Sequence, residues 1–520
     1  MSLLMSLCLL GPLPLLAVAV IALGRPGMRP GSLPRLAEIA ALASFAMTLG
    51  GALHVAVAGA GTWSVGSGIA LVAVRLDAIS STMAMLVAFI GWVVLRYSRT
   101  YLDGEAREGA FLGLMLATLA SVLLLVHAGS LAVLIAAFLA VGAGLRQLLL
   151  FYRGRVEARR AAAKFTLVWG GGDLALVLGA VLLWAAFGTA DIAAMAAAAK
   201  AGVPVAGHAG VAFLILAAAL KSAAFPLHGW ITEVMEAPTP VSALLHAGII
   251  NAGGFLMIRF AELVQAGPGS MAALVILGGF TALFGAVVML TQSAVKTALA
   301  WSTIAQMGFM LLQCGLGLWT LALLHIVAHS MYKAHAFLGS GEAVQAVASI
   351  RRPGPVAVPN FAAVARSFLL SILLYGVVAT TFAAMIGPKS PQALALGAIL
   401  VFGVAYLVAQ GLADAAPKAL TQRTALAAVG AAVAYFTFHR LADALWGRAL
   451  PAVPTPGALE WALIVLSLGS FAVVALAQTL FPLWAHHPAA AGLRVHVANG
   501  FYLNTVFDRV VGGFRTQKPL

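Results

Sequence analysis

Apolar residues fall in runs of about 20 along almost the whole chain, each long enough to cross a bilayer as a helix. Short polar or Gly/Pro-rich breaks separate them. These runs predict about 15 membrane helices, at 3–24, 36–59, 74–95, 110–128, 130–152, 162–187, 208–227, 240–263, 271–291, 297–317, 320–346, 362–386, 393–413, 420–446 and 458–480. Stretches this apolar bury their backbone only as helices, so the fold class is an all-α polytopic membrane protein. No soluble domain of any size is expected between the runs.

The charged residues order these helices. Arg25, Arg29 and Arg35 follow the first run, and Arg96, Arg99 and Arg107 follow the third. Arg153, Arg155, Arg159 and Arg160 follow the fifth, and Arg351 and Arg352 the eleventh. Lys418 and Arg423 follow the thirteenth, and Arg494, Arg509, Arg515 and Lys518 the last. All are odd-numbered exits; the even exits hold few basic residues, chiefly Lys200, Lys389 and Arg448. Basic residues concentrate on the cytoplasmic side, which puts the N-terminus outside and the C-terminus inside. The first run lacks a basic leader and reads as a membrane helix rather than a cleaved signal. The tail, 484–520, is too polar to span. With His486, His487, His496, Tyr502 and Phe507 among basic residues, it reads as an amphipathic surface helix or a partner-docking segment, the latter being preferred.

Composition sharpens this picture. Of the 520 residues, 62% are hydrophobic and 9% charged, against about 25% charged in an ordinary soluble chain. The net charge of +14 lies in short loops, so it does not indicate nucleic-acid binding. Cys8 and Cys314 alone support neither a disulfide framework nor an Fe–S cluster within this chain. There is no P-loop and no GxGxxG after a strand; Gly170, Gly171 and Gly172 read as a helix-packing site. ATP hydrolysis and NAD binding are therefore not expected, no cofactor is assigned to this chain, and it reads as a transport or coupling subunit rather than an enzyme by itself.

Chemistry is expected where ionisable residues fall inside apolar runs, because a charge there is costly and normally faces a bundle interior or a water path. Lys221 lies five residues before Pro226, which removes a backbone donor and disturbs the helix. Its competing reading is a lysine snorkelling from a helix end. Glu233 and Glu236 follow before Pro238 and Pro240, as a solvated loop or as partners of Lys221. His246 follows within the next run, with Asn251 five residues on. His325, His329 and Lys333 repeat every four residues, which stacks them on one helix face about 6 Å apart; His335 points elsewhere. Imidazole exchanges protons near neutral pH, so the row suits a proton wire. A haem would normally be gripped from opposite sides. Asp173, early in the sixth run, calls for a cationic partner. Lys296 opens the tenth run, and Asp77 at the mouth of the third reads as structural.

Several of these segments carry a resemblance. Lys221-Ser-Ala-Ala-Phe-Pro-Leu-His-Gly-Trp230 with Met235-Glu-Ala-Pro-Thr-Pro-Val-Ser-Ala-Leu-Leu-His246 resembles the central signature of proton-translocating antiporter-like subunits, which include the large membrane subunits of respiratory complex I and Mrp-type antiporters. Lys296 to Gly308 and Leu323 to His335 match two further segments, and Arg75 to Ser80 a weaker one. The resemblance covers 70–350 well and the remainder loosely. It implies N-terminal helices over 1–109, two inverted five-helix repeats over 110–263 and 271–413, each with a broken helix, C-terminal helices over 420–480, and the tail. It also implies that Lys221, His246, Lys296, His325, His329 and Lys333 form the central polar axis, with Asp173, Glu233, Glu236 and Lys389 supporting.

The chain departs from that pattern in two places. The fifth run has no glutamate to pair with Lys221; the matching position lies near Leu139. The second broken helix, near 376–391, has no clear intramembrane lysine, and Lys389 beside Pro388 and Pro391 is the substitute at hand. With His246-Ala-Gly-Ile-Ile-Asn-Ala-Gly-Gly-Phe255 and the tail motif His496-Val-Ala-Asn-Gly-Phe-Tyr502, the missing acid is similar to the DabB-type membrane subunits of the DAB inorganic-carbon system. That resemblance implies a location in the bacterial inner membrane and a DabA-like zinc-containing partner subunit. The flow of protons or sodium ions through the membrane subunit would drive CO₂ to bicarbonate on that partner. Rival expectations are a pumping subunit of an NADH-quinone oxidoreductase, a membrane hydrogenase or an Mrp antiporter, and a non-conducting anchor.

Overall fold

The computed structural model describes residues 9–342, 361–411, 418–480, 484 and 487–511. Arg351, Arg352, His486, Arg515 and Lys518 lie outside the described residues. A helix stands at each of the fifteen predicted places. In order they begin with α1 (Pro12–Leu23), α2 (Leu33–Ala58), α3 (Ala78–Tyr101), α4 (Glu108–Val126) and α5 (Leu131–Leu149). Next come α6 (Val156–Phe187), the short α7 (Ile192–Ala199), and α8 (Val205–Lys221) continued after a break by α9 (Gly229–Glu233). Then follow α10 (Thr239–Ala247) with α11 (Ala252–Arg259), the short α12 (Ala261–Gln265), α13 (Pro268–Met289), α14 (Val295–Gly315) and α15 (Trp319–Leu338). The series closes with α16 (Phe361–Ile386), α17 (Pro391–Gly411), α18 (Lys418–Trp446) and α19 (Ala458–Thr479), followed by α20 (Ala491–Ala498) and α21 (Leu503–Val510) in the tail.

Among the described residues, ten helical segments are long and apolar enough to cross a membrane, fewer than the fifteen runs. Three of the others, α1, α8 and the first part of α17, are apolar but shorter. The remaining two, α14 and α15, have the length, 21 and 20 residues, but carry the polar side chains. The chain is thus a multi-pass membrane protein.

Two expectations fail locally. The third run was expected to become helical at 74, but Val72–Leu76 is a strand paired antiparallel with Gly61–Val65. The helix starts at Ala78 because Asp77 caps it: Asp77 Oδ1 accepts from the Ser80 amide at 2.8 Å, and the Ser80 hydroxyl accepts from the Asp77 amide. Asp77 also pairs with Arg75 and with the buried Arg259, each at 2.7 Å, so its role is structural as expected. The second discrepancy is at 376–391. Phe361–Ile386 runs unbroken, and the gap at 387–390 lies between two helices. That helix contains no proline, whereas Pro388 and Pro391 fall at its end, so nothing removes a backbone donor within it.

Helices α13 and α14 approach each other at glycines. A Cβ on Gly278 would lie 2.4 Å from the Leu312 amide nitrogen, and one on Gly308 would lie 2.4 Å from that of Ala282. Without a hydrophobic drive between helices in lipid, such backbone contact supplies much of the packing energy. Replacing Gly308 by Val should push the two helices apart. The expected result is a melting temperature in detergent lowered by several degrees, with loss of a monodisperse peak, while Gly170→Val, in open space, leaves both unchanged.

Candidate functional site

The break after α8 makes the site. Lys221 is the last residue of α8, and Ser222–His228 leave the helix before α9 begins. Pro226 offers no amide, and Ala223 takes a left-handed φ of 51°. The freed Phe225 amide donates to Thr281 Oγ1 at 3.1 Å, so a neighbouring helix satisfies the interruption.

Lys221 is fully buried. Its Nζ donates to Asp173 Oδ1 at 2.5 Å and lies 4.1 Å and 4.7 Å from the ring centroids of Trp169 and Phe138. Asp173 thus has the cationic partner its setting called for, and Lys221 is held inside rather than snorkelling. The acid absent from α5 is supplied by α6. Leu139, the position matched to it, is 49% exposed, while its neighbour Phe138 packs on the lysine. Gly172 lets the Lys221 stem pass, since a Cβ there would sit 3.2 Å from its Cγ.

Glu233 and Glu236 do not pair with Lys221, against one of the two readings. Glu233 ends α9 and binds Lys164 at 2.5 Å; Glu236 pairs with Arg155 at 3.2 Å. The seven residues of the break carry both carboxylates to the arginine-rich end of α6.

The remaining predicted residues form a second group. His246, in the last turn of α10, stacks on Phe337 at 4.3 Å, with Nδ1 3.0 Å from Thr303 Oγ1. His329 Nε2 lies 3.2 Å from the His246 carbonyl oxygen. His325 and His329 have ring centroids 5.9 Å apart, and His325 Nδ1 meets Gln313 Oε1 at 2.9 Å. Lys333, fully buried, donates to the Leu299 carbonyl at 3.0 Å. The i, i+4, i+8 row therefore does lie along one inner face of α15, and His335 is exposed. Asn251 Nδ2 donates to Ser330 Oγ at 3.0 Å, tying α15 to the residues just before α11. His246 Nε2 and His325 Nε2 are buried without a protein partner, which is where a water or a moving proton finds open hydrogen-bonding capacity. His325 and His329 also line a cleft of about 590 Å³ bounded by Gln306, Tyr435 and Phe471.

Lys296 and Lys389 stand apart from this row. Lys296, in the first turn of α14, donates to Thr239 Oγ1 at 2.9 Å. Lys389 sits in the gap before α17 and binds Asp443 at 3.0 Å, beside His439 and Thr320. Among the described residues, no three His, Cys, Asp or Glu side chains are grouped to hold a metal ion. Several interacting residues were not singled out from sequence: Lys164, His439, Asp443, Asn504 and Asp508. Lys164 carried the same signal as Asp173, an ionisable side chain inside the sixth apolar run.

Residues 128–354 match the family model described as NADH:quinone oxidoreductase/Mrp antiporter, TM. Residues 64–112 match that of the N-terminus of NADH-ubiquinone oxidoreductase (complex I), chain 5. The chain is 35% identical over 472 residues to the "Probable inorganic carbon transporter subunit DabB2" of Halothiobacillus neapolitanus, covering 88% of this chain and 84% of that one. It is 43% identical over 277 residues to the corresponding DabB of Hydrogenovibrio crunogenus, 52% of this chain and 53% of the other. It is also 35% identical over 294 residues to NADH-quinone oxidoreductase subunit L of Mycobacterium tuberculosis, 55% of this chain and 46% of the other. Its fold is that of a chain in the Mrp complex from Dietzia sp. DQ12-45-1b, with a TM-score of 0.63 at 23% identity over 98% of this chain and 60% of that one. A chain of respiratory complex I from Thermus thermophilus gives 0.56 at 22% identity over 96% and 99%. With a buried lysine at a broken helix, a histidine–lysine row on α15 and these relatives, the chain belongs to the family of cation-translocating, antiporter-like membrane subunits, close to DabB.

Proposed function

We propose that this chain translocates a cation, most simply a proton, and that this flow energises inorganic-carbon accumulation by a zinc-containing, DabA-like partner subunit. The observation that carries the reading is the Asp173–Lys221 pair at the helix break. Membrane-depth charges are retained where they act on ions. Here the acid missing from α5 is replaced in space, so the lysine keeps a partner with which to exchange a proton. Ser222 Oγ meets the Ile250 carbonyl at 3.4 Å, joining the break to the chain segment that follows His246. From there His246, His329, His325 and Lys333 offer successive proton-accepting groups.

The energetics are adequate. One charge moving through 100 mV yields about 2.3 kcal/mol, enough for roughly a 50-fold concentration ratio at about 1.4 kcal/mol per tenfold. The relatives named as inorganic carbon transporter subunits support the substrate. The basic odd exits support an N-terminus outside and a C-terminus in the cytoplasm of a bacterial inner-membrane protein. The domain limits implied by the family belong to this same reading.

In cells carrying the chain with its partner, Lys221→Ala and Asp173→Asn should each lower bicarbonate accumulation at least tenfold, to the level left by an uncoupler. Glu236→Gln should change it less than twofold. Uptake of labelled bicarbonate measures this, and full uptake by Lys221→Ala would refute the path. Stability separates the pair from its function. Asp173→Leu leaves a buried lysine uncompensated, a loss of up to about 3–5 kcal/mol that should lower the melting temperature. The double variant Lys221→Leu/Asp173→Leu should regain most of that stability in detergent melts yet stay inactive in uptake.

A further inference from the structure

The described part of the C-terminal tail lies across the arginine-rich ends of the bundle. Gln292 Nε2 donates to the Ala498 carbonyl at 3.2 Å, and Phe501 lies 6.2 Å from Phe284. On α21, Asn504 and Asp508 are four residues apart and share a face, and that polar face is turned to the bundle. Lys164 Nζ donates to Asn504 Oδ1 at 2.6 Å and pairs with Asp508 Oδ1 at 2.6 Å. Asn504 Nδ2 donates to Glu233 Oε1 at 2.7 Å, and Arg160 pairs with Asp508 at 2.5 Å. The outward face carries Val506 and Val510, 53% and 80% exposed.

Helix α6 therefore grips both halves of the broken helix, with ion pairs of opposite polarity. Asp173 holds Lys221, the end of α8, and Lys164 holds Glu233, the end of α9. The two clamps are nine residues, roughly 13 Å, apart along α6. Aromatic rings link them: Trp230, on α9, meets Trp169 at 6.3 Å, and Trp169 lies against Lys221. With the tail docked, Lys164 and Arg160 face Glu233 and Asp508, and their charges cancel. With Asp508 withdrawn both cations lose that carboxylate, and the buried Lys164 loses one of its charge partners.

We propose that the tail is a latch on the inner mouth of the ion path, in which Asp508 and Asn504 act as positioning residues through Lys164 and Glu233. Docked, they hold α9 against α6 and keep water from Lys221; undocked, they let α9 move and the mouth open. This rests on the translocation reading above. The test uses the full-length chain in proteoliposomes, with Val497→Cys as a reporter, since Val497 is buried with the tail docked and release of the tail would expose it. Asp508→Asn and, independently, Asn504→Ala should raise maleimide labelling at that cysteine about tenfold and raise proton flux severalfold, while Asp508→Glu changes neither. Monodisperse elution of each variant confirms that it folds. Raised labelling with unchanged, Lys221-dependent flux, or unchanged labelling in both variants, would overturn the latch alone. Absence of any Lys221-dependent flux, even in variants whose tail is released, would instead overturn the translocation reading on which it rests.

Discussion

A lysine with no solvent exposure among membrane helices keeps its charge only where an acid, a water or a ring face answers it, and that requirement organises the middle of this protein around Lys221. Taking an ammonium out of water costs several kcal/mol after relaxation. Asp173 at 2.5 Å and the faces of Trp169 and Phe138 repay it from three directions. The pair fixes the facing of α6 and α8, and Gly172 admits the lysine stem between them. Removing either partner disturbs more than charge, because the end of α8 is anchored by that bond.

The helix break follows from the same demand. A continuous helix would satisfy its own backbone and leave no polar surface at membrane depth. Pro226 prevents this, and the released Phe225 amide is taken up by Thr281 of α13. The break thereby ties the Lys221 region to α13, whose glycines lock it onto α14. From α14, Thr303 reaches His246, and the Leu299 carbonyl receives Lys333. One packing interface thus positions both polar groups of the site.

One of the two departures from the usual family pattern is compensated in space. An acid moves from the fifth apolar run to the sixth and still meets the lysine. The unbroken α16 contains no lysine, and Lys389, in the gap that follows it, is held by Asp443. On the proposed reading, the first polar group is complete while the second half of the axis ends at the His325–His329 cleft.

Membrane class, the places of the helical runs along the chain, and the His325–His329–Lys333 face were legible in the sequence because they depend on local quantities, hydrophobic run length and the 3.6-residue period. The family signatures around Lys221 and His246 were legible for the same reason, as contiguous strings. The sequence also flagged Asp173 as an acid in need of a cation, but could not say which one. Tertiary structure decided that Asp173 meets Lys221, that Glu233 meets Lys164, and that Asn504 and Asp508 return from the far end of the chain to close that cluster. Such pairings depend on how each helix is rotated about its axis, and one residue is about 100° of rotation. At Leu139 that rotation puts the expected position 49% exposed and its neighbour Phe138 onto the lysine. Rotation is set by close packing between helices distant in sequence, which no run length or period records.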